Sequence, residues 1–151
     1  MVERNRRLSK HHILGDFLVD DTFPDLAKRL VPDEVQLANL ERLALVIERI
    51  AEQFPAQWKV LSGYRDPVLN EACRQAGLPA SLDSLHLDGC AADIEPHGGE
   101  FDLETVYEWV RDTSRIDLEV HEAVFYPLKG FIHIGVENKK RPTAKRILMR
   151  T

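Results

Sequence analysis

Residues 118–137, LEVHEAVFYPLKGFIHIGVE, constrain the fold most. Two runs rich in Val, Ile, Phe and Tyr flank the four-residue turn PLKG. Alternating runs joined by a short turn read as an antiparallel hairpin. If Tyr126 pairs with Phe131 across the turn, Val124 opposes His133 and Glu122 opposes Gly135. Glu122 and His133 then share one face of the sheet. His133 lies between Ile132 and Ile134 and points away from both. A register slip of one residue brings His121 to that face instead of Glu122.

The rest of the chain supplies helices around this hairpin. Residues 33–53 place Val35, Leu37, Leu40, Leu43, Leu45, Val46, Ile47 and Ile50 on a helical stripe after Pro32. WKVLSG, residues 58–63, is a short strand entering a turn. Asp66 and Pro67 are an N-cap and first helical residue, opening a helix over 67–76 that Gly77 and Pro79 end. CAADIE, residues 90–95, alternates as a strand, with Ala92 and Ile94 on one side and Ala91, Asp93 and Glu95 on the other. PHGGE is a loop, and a further helix is expected from about Asp102 to Asp112. Helices early and strands late predict an α+β fold, a small antiparallel sheet flanked by helices, rather than a doubly wound sheet.

Length and charge bound the function. At 151 residues, 44% hydrophobic and 30% charged, the chain reads as one soluble domain. No apolar run approaches the roughly 20 residues of a membrane span, so no membrane insertion is expected. The basic start MVERNRRLSKHH runs into ILGDFLVDD, whose aspartates and glycine spoil a signal-peptide core, and a cytoplasmic location is expected. Cys73 and Cys90 form no disulfide framework. A net charge of -5 argues against nucleic acid as the main partner. Residues 139–151 hold six of the 20 basic side chains and no acid, which leaves 14 basic against 25 acidic residues elsewhere. We read 1–138 as the domain and 139–151 as a basic tail, either solvated or in contact with an anionic polymer such as cell wall. The oligomeric state is open.

SLHLDGCAAD, residues 84–93, carries the chemistry. A turn through Gly89 can bring His86 and Asp93 to one point, and His133 is the best-placed third group. Catalytic zinc sites take three such protein ligands and leave a position for water. Each residue alone is weak, because a lone strand histidine is more often a satisfied core or surface group. Together they match a pattern. Ser84, His86, Gly89, Ala91 and Asp93 resemble the S-x-H-x-x-G-x-A-x-D signature of the M15 zinc peptidases, the D-alanyl-D-alanine carboxypeptidases and related peptidoglycan peptidases. SGYR at 62–65 with Asn70 and YPLKGFIHIGV at 126–136 resemble further segments of the family, and LSKHHILGDFL at 8–18 resembles the opening of its compact, often phage-associated branch.

The resemblance implies a hedgehog/DD-peptidase-like fold with His86, Asp93 and His133 as zinc ligands. It implies that Arg65 holds a substrate carboxylate and that Ser84 hydrogen-bonds substrate backbone. Cys90 falls at a variable position and reads as packing. The pattern breaks at two points: no acid or histidine lies in FYPLKG, just before His133, and Gly135 stands where the family has an aspartate. Glu122 is our candidate for the missing carboxylate, as general base or as partner of a ligand. Tyr126 lies on the same face and borders the site, whereas His11, His12 and His97 have no spacing logic and are left out. The leading expectation is a zinc peptidase cutting peptidoglycan stem or cross-bridge peptides, released by lysis or carried in a phage particle. The competing one is an inactive zinc-stabilised wall-binding or phage structural module.

Overall fold

The computed structural model describes residues 2–150. Asp33 opens the longest helix, α2 (Glu34–Gln53), with a capping box. Its carboxylate accepts from the Gln36 amide at 2.8 Å, and the Gln36 side chain accepts from the Asp33 amide at 2.8 Å. Leu40, Leu43, Ala44, Ile47 and Ile50 bury one face of α2. Val35 and Leu45, which the stripe included, are exposed at 42% and 59%. Leu45 follows Leu43 by about 200° around a helix, so both cannot face the core. A short helix α1 (Pro24–Ala27) precedes α2, while α3 (Pro67–Gln75) and α4 (Leu103–Thr113) follow it. Asp66 caps α3 through the Leu69 amide and Asp102 caps α4 through the Thr105 amide, each at 2.9 Å.

The strands are β1 (Gln57–Ser62), β2 (Ala91–His97), β3 (Glu122–Tyr126), β4 (Phe131–Gly135) and β5 (Arg146–Met149). They form one sheet in the order β1-β2-β4-β3-β5. The hairpin adopts the expected register, with Tyr126 opposite Phe131, Val124 opposite His133 and Glu122 opposite Gly135. A slip would turn the fully buried Ile132 and Ile134 out of the core, which holds the register in place. Strand β3 starts at Glu122 rather than at Leu118.

Two expectations need correction. The sheet is mixed rather than antiparallel, because β5 pairs with β3 in parallel. The segment 139–151 is also more than a free tail, since Arg146–Met149 are that edge strand. Basic residues mask a short alternation there. Ile147, opposite Ala123, packs against the core, while Arg146, opposite Glu122, turns to the other face.

The two sheet faces divide the labour. Ala92, Ile94, Ala123, Phe125, Ile132 and Ile134 bury one of them. Helix α2 lies against β1 and β2, and α4 against β3 and β4, with Tyr107 stacked 5.7 Å from Phe125. The other face carries Asp93, His133 and Glu122. No helix among the described residues is long and apolar enough to cross a membrane.

Candidate metal centre

His86 is held from both ends. It sits in a 3-10 turn, Leu85–Asp88, whose N-cap Ser84 accepts from the His86 amide at 3.2 Å. Gly89 closes the turn in the left-handed region at φ 73°, where a Cβ would lie 2.7 Å from the Gln36 carbonyl oxygen. The side chains of Gln36 and Asn39 donate to the Leu87 and Asp88 carbonyls at 3.2 and 2.9 Å. The SGYR loop completes the clamp. The Arg65 amide donates to the His86 carbonyl at 3.0 Å, and the Gly63 carbonyl accepts from His86 Nδ1 at 2.7 Å. A carbonyl can only accept, so Nδ1 carries the proton and Nε2 presents its lone pair.

That lone pair points at a carboxylate. His86 Nε2 is buried without a hydrogen-bond partner among the described residues. Asp93 Oδ1 lies 3.4 Å from it and 3.0 Å from His133 Nδ1. Asp93 and His133 are direct cross-strand partners on β2 and β4, so the sheet fixes their spacing. The three ligand atoms lie within 4.8 Å of one another. Ligands at about 2.0–2.2 Å around a tetrahedral zinc stand about 3.3 Å apart. The donor set, two imidazoles and a carboxylate, suits a divalent transition metal. The group could hold a metal ion.

Electrostatics point the same way. Burial, then the Arg65 charge, lowers the pKa of His86 and keeps it neutral against the pull of Asp93. Burial favours the neutral acid at Asp93, but the hydrogen bond and charge of His133 outweigh it and hold the carboxyl well below its usual range. Burial disfavours charge on His133 too, yet its hydrogen bonds to Asp93 and Glu122 raise it to about 9. Without metal, His133 is therefore an imidazolium between two carboxylates.

Glu122 comes in where the register predicts. Its Oε1 lies 2.8 Å from His133 Nε2, the nitrogen turned away from Asp93. Burial raises its carboxyl, and the His133 hydrogen bond more than reverses this. Gly135 makes room for the contact: a Cβ there would stand 2.9 Å from Leu85 Cδ1 and 3.2 Å from Glu122 Cβ. An aspartate at that position would collide with both. His121 instead shares a hydrogen bond with the Thr143 carbonyl at 2.8 Å.

Ser84, His86, Asp93, Glu122, Tyr126 and His133 all line one open cleft of about 510 Å³. Tyr126 stacks on Phe131 at 4.8 Å, and burial raises its phenol pKa. The Ser84 hydroxyl is already an acceptor in the loop that carries His86. Arg65 is not among the cleft's lining residues. It is buried, with Nη2 3.6 Å from Asp93 Oδ2, Nε donating to Ser62 Oγ at 3.1 Å and Nη1 unpartnered among the described residues. Burial pushes the Cys90 thiol up to about 12, consistent with a packing residue. His11 contacts Glu48 at 2.8 Å and His97 contacts Glu95 at 2.9 Å, while His12 lies 3.0 Å from the Trp58 carbonyl.

Four residues escaped the sequence reading. Asp20 accepts from Ser62 Oγ at 3.0 Å and so backs the Ser62–Arg65–Asp93 chain. Arg141 binds Asp88 through Nε at 3.1 Å, tying the C-terminal segment to the signature turn. Arg146 and Arg150 line the cleft. The basic cluster after residue 138 was the visible signal for the last three. No family model matches the chain, and comparison with curated proteins returns no match.

Proposed function

We propose that the protein is a zinc-dependent peptidase that cleaves peptide bonds in peptidoglycan stem or cross-bridge peptides. One observation carries the reading. The unprotonated Nε2 of a neutral, buried His86 faces the Asp93 carboxylate at 3.4 Å. Two lone-pair groups held so close inside a protein are costly unless a cation lies between them. The resemblance of residues 84–93 to the peptidase signature supports zinc and the substrate class.

His86 Nε2, Asp93 Oδ1 and His133 Nδ1 would hold the ion. Zinc so bound supplies Lewis acidity toward a peptide carbonyl and lowers the pKa of bound water to about 7. Arg65, hidden behind Asp93, orients that carboxylate through a 3.6 Å contact with Oδ2. Glu122 fixes the His133 ring by accepting from Nε2, which leaves Nδ1 free to ligate. In this reading Glu122 also accepts the proton from the attacking water, since it is the acid beside the ligands that also lines the cleft.

A second reading is favoured by the same contact. Glu122 Oε1 is already taken up by His133. A Glu122 with that task alone leaves a zinc-stabilised wall-binding module. The Glu122→Gln variant separates the two, assayed on isolated peptidoglycan at saturating zinc. The peptidase reading predicts product release reduced at least about 100-fold with zinc still bound. Unchanged release at full zinc loading removes Glu122 as the base. No release from the wild type favours the module.

A further inference from the structure

We propose that Arg146 and Arg150 form a carboxylate-binding subsite in the cleft, so that the ligand is a peptide bearing a free carboxylate on the β5 side of the metal centre. The inference rests on the reading that this cleft takes a peptide.

The placement of charges carries it. The Arg65 expected to hold a substrate carboxylate is buried against Asp93 and lines no part of the cleft. Two other guanidiniums do line it. Arg146 lies opposite Glu122 in the β3–β5 ladder, and the Arg150 amide donates to the Phe125 carbonyl at 2.8 Å. Strand alternation puts Arg146 and Arg150 on the face that carries Glu122, Tyr126 and His133. The Tyr126 phenol is raised by burial and by Asp93, and Arg150 and Arg146 oppose that rise.

The acids on the cleft wall leave this charge available. Asp93 is engaged by His133 and Arg65, and Glu122 is engaged by His133. Arg146 Nε lies 3.7 Å from Glu122 Oε2 and has no hydrogen-bond partner among the described residues. That ion pair is too long to satisfy the guanidinium, whose Nε is buried but whose side chain as a whole is 42% exposed and lines the cleft. Asp83 is the remaining acid on the wall. A planar guanidinium with free N–H groups takes a carboxylate through two parallel hydrogen bonds. Tyr126 and Phe131 offer an apolar surface beside it for the adjoining side chain.

The test is calorimetric titration of the zinc-loaded protein with a peptide ending in D-alanyl-D-alanine, as free acid and as C-terminal amide. The wild type should bind the acid about tenfold more tightly than the amide. Arg146→Gln and Arg150→Gln should each cut that ratio to about threefold, and the double variant should abolish it. Arg150→Gln keeps the test valid if losing Arg146 disturbs Glu122. Zinc content is measured for every protein, so loss of metal is not mistaken for loss of the subsite. A wild type without acid preference, without binding of the acid, or with a preference that survives in the double variant overturns the subsite. Failure of the peptidase reading shows separately, as acid-selective binding with no cleavage of peptidoglycan.

Discussion

At the residue scale, the centre stores a proton where a metal would sit. His133 is raised from an ordinary 6.5 to about 9. Its stabilising contribution to the metal-free fold is complete below about pH 6.5 and is lost as pH rises through about 9. Asp93 and Glu122, both depressed, act in the opposite sense and lose their contribution as the pH falls into the acid range. Zinc must displace the His133 proton, so its affinity should increase between pH 6.5 and 9 while the metal-free protein loses stability. Zinc titrations in two buffers of different ionisation enthalpy should show at least one proton released per ion near pH 7. An affinity flat over this range would show that His133 is not a ligand. Gly135 gives a second prediction. Gly135→Ala drives a Cβ to 2.9 Å from Leu85 Cδ1, so it should destabilise the fold by about 1–3 kcal/mol in urea unfolding.

At the element scale, the candidate metal site is the product of three pieces: the 84–89 turn, the β2–β4 ladder and the β1–α3 loop. Much of this was legible. The hairpin alternation placed Glu122 beside His133 because a strand's period of two leaves little freedom once Ile132 and Ile134 must be buried. The cap at Asp66 and the turn at Gly89 were readable from local chemistry. The fate of the basic end was not. Four-residue β5 has too few positions to outweigh its charges, and its pairing with β3 spans more than 20 residues of sequence. Nor could spacing show that Arg65 turns behind Asp93, which depends on Ser62 and Asp20 meeting it in space. The C-terminal segment should therefore matter to the site. Arg141→Ala removes the charged partner of Asp88 at the base of the signature turn and leaves the Asn138 hydrogen bond to the same carboxylate. Because that pair is partly exposed, a loss of at most about 1 kcal/mol is expected from thermal unfolding. Truncation after Asn138 also removes β5 and should cost far more.

At the scale of the whole molecule, the fold separates stability from chemistry. Helices α2 and α4 close the core on one face of the sheet, and the polar groups gather on the other. A ligand bound only by the native state stabilises it by mass action, by about 4 kcal/mol at a thousand times its dissociation constant. Zinc should raise the melting temperature of the wild type and leave that of His86→Ala unchanged.

The most direct measurement is zinc content, by metal analysis of purified protein, for the wild type and for His133→Ala. The account predicts about one zinc per chain in the wild type and a near-complete loss in the variant. A wild type that takes up no zinc, or a His133→Ala that retains it fully, contradicts the metal centre.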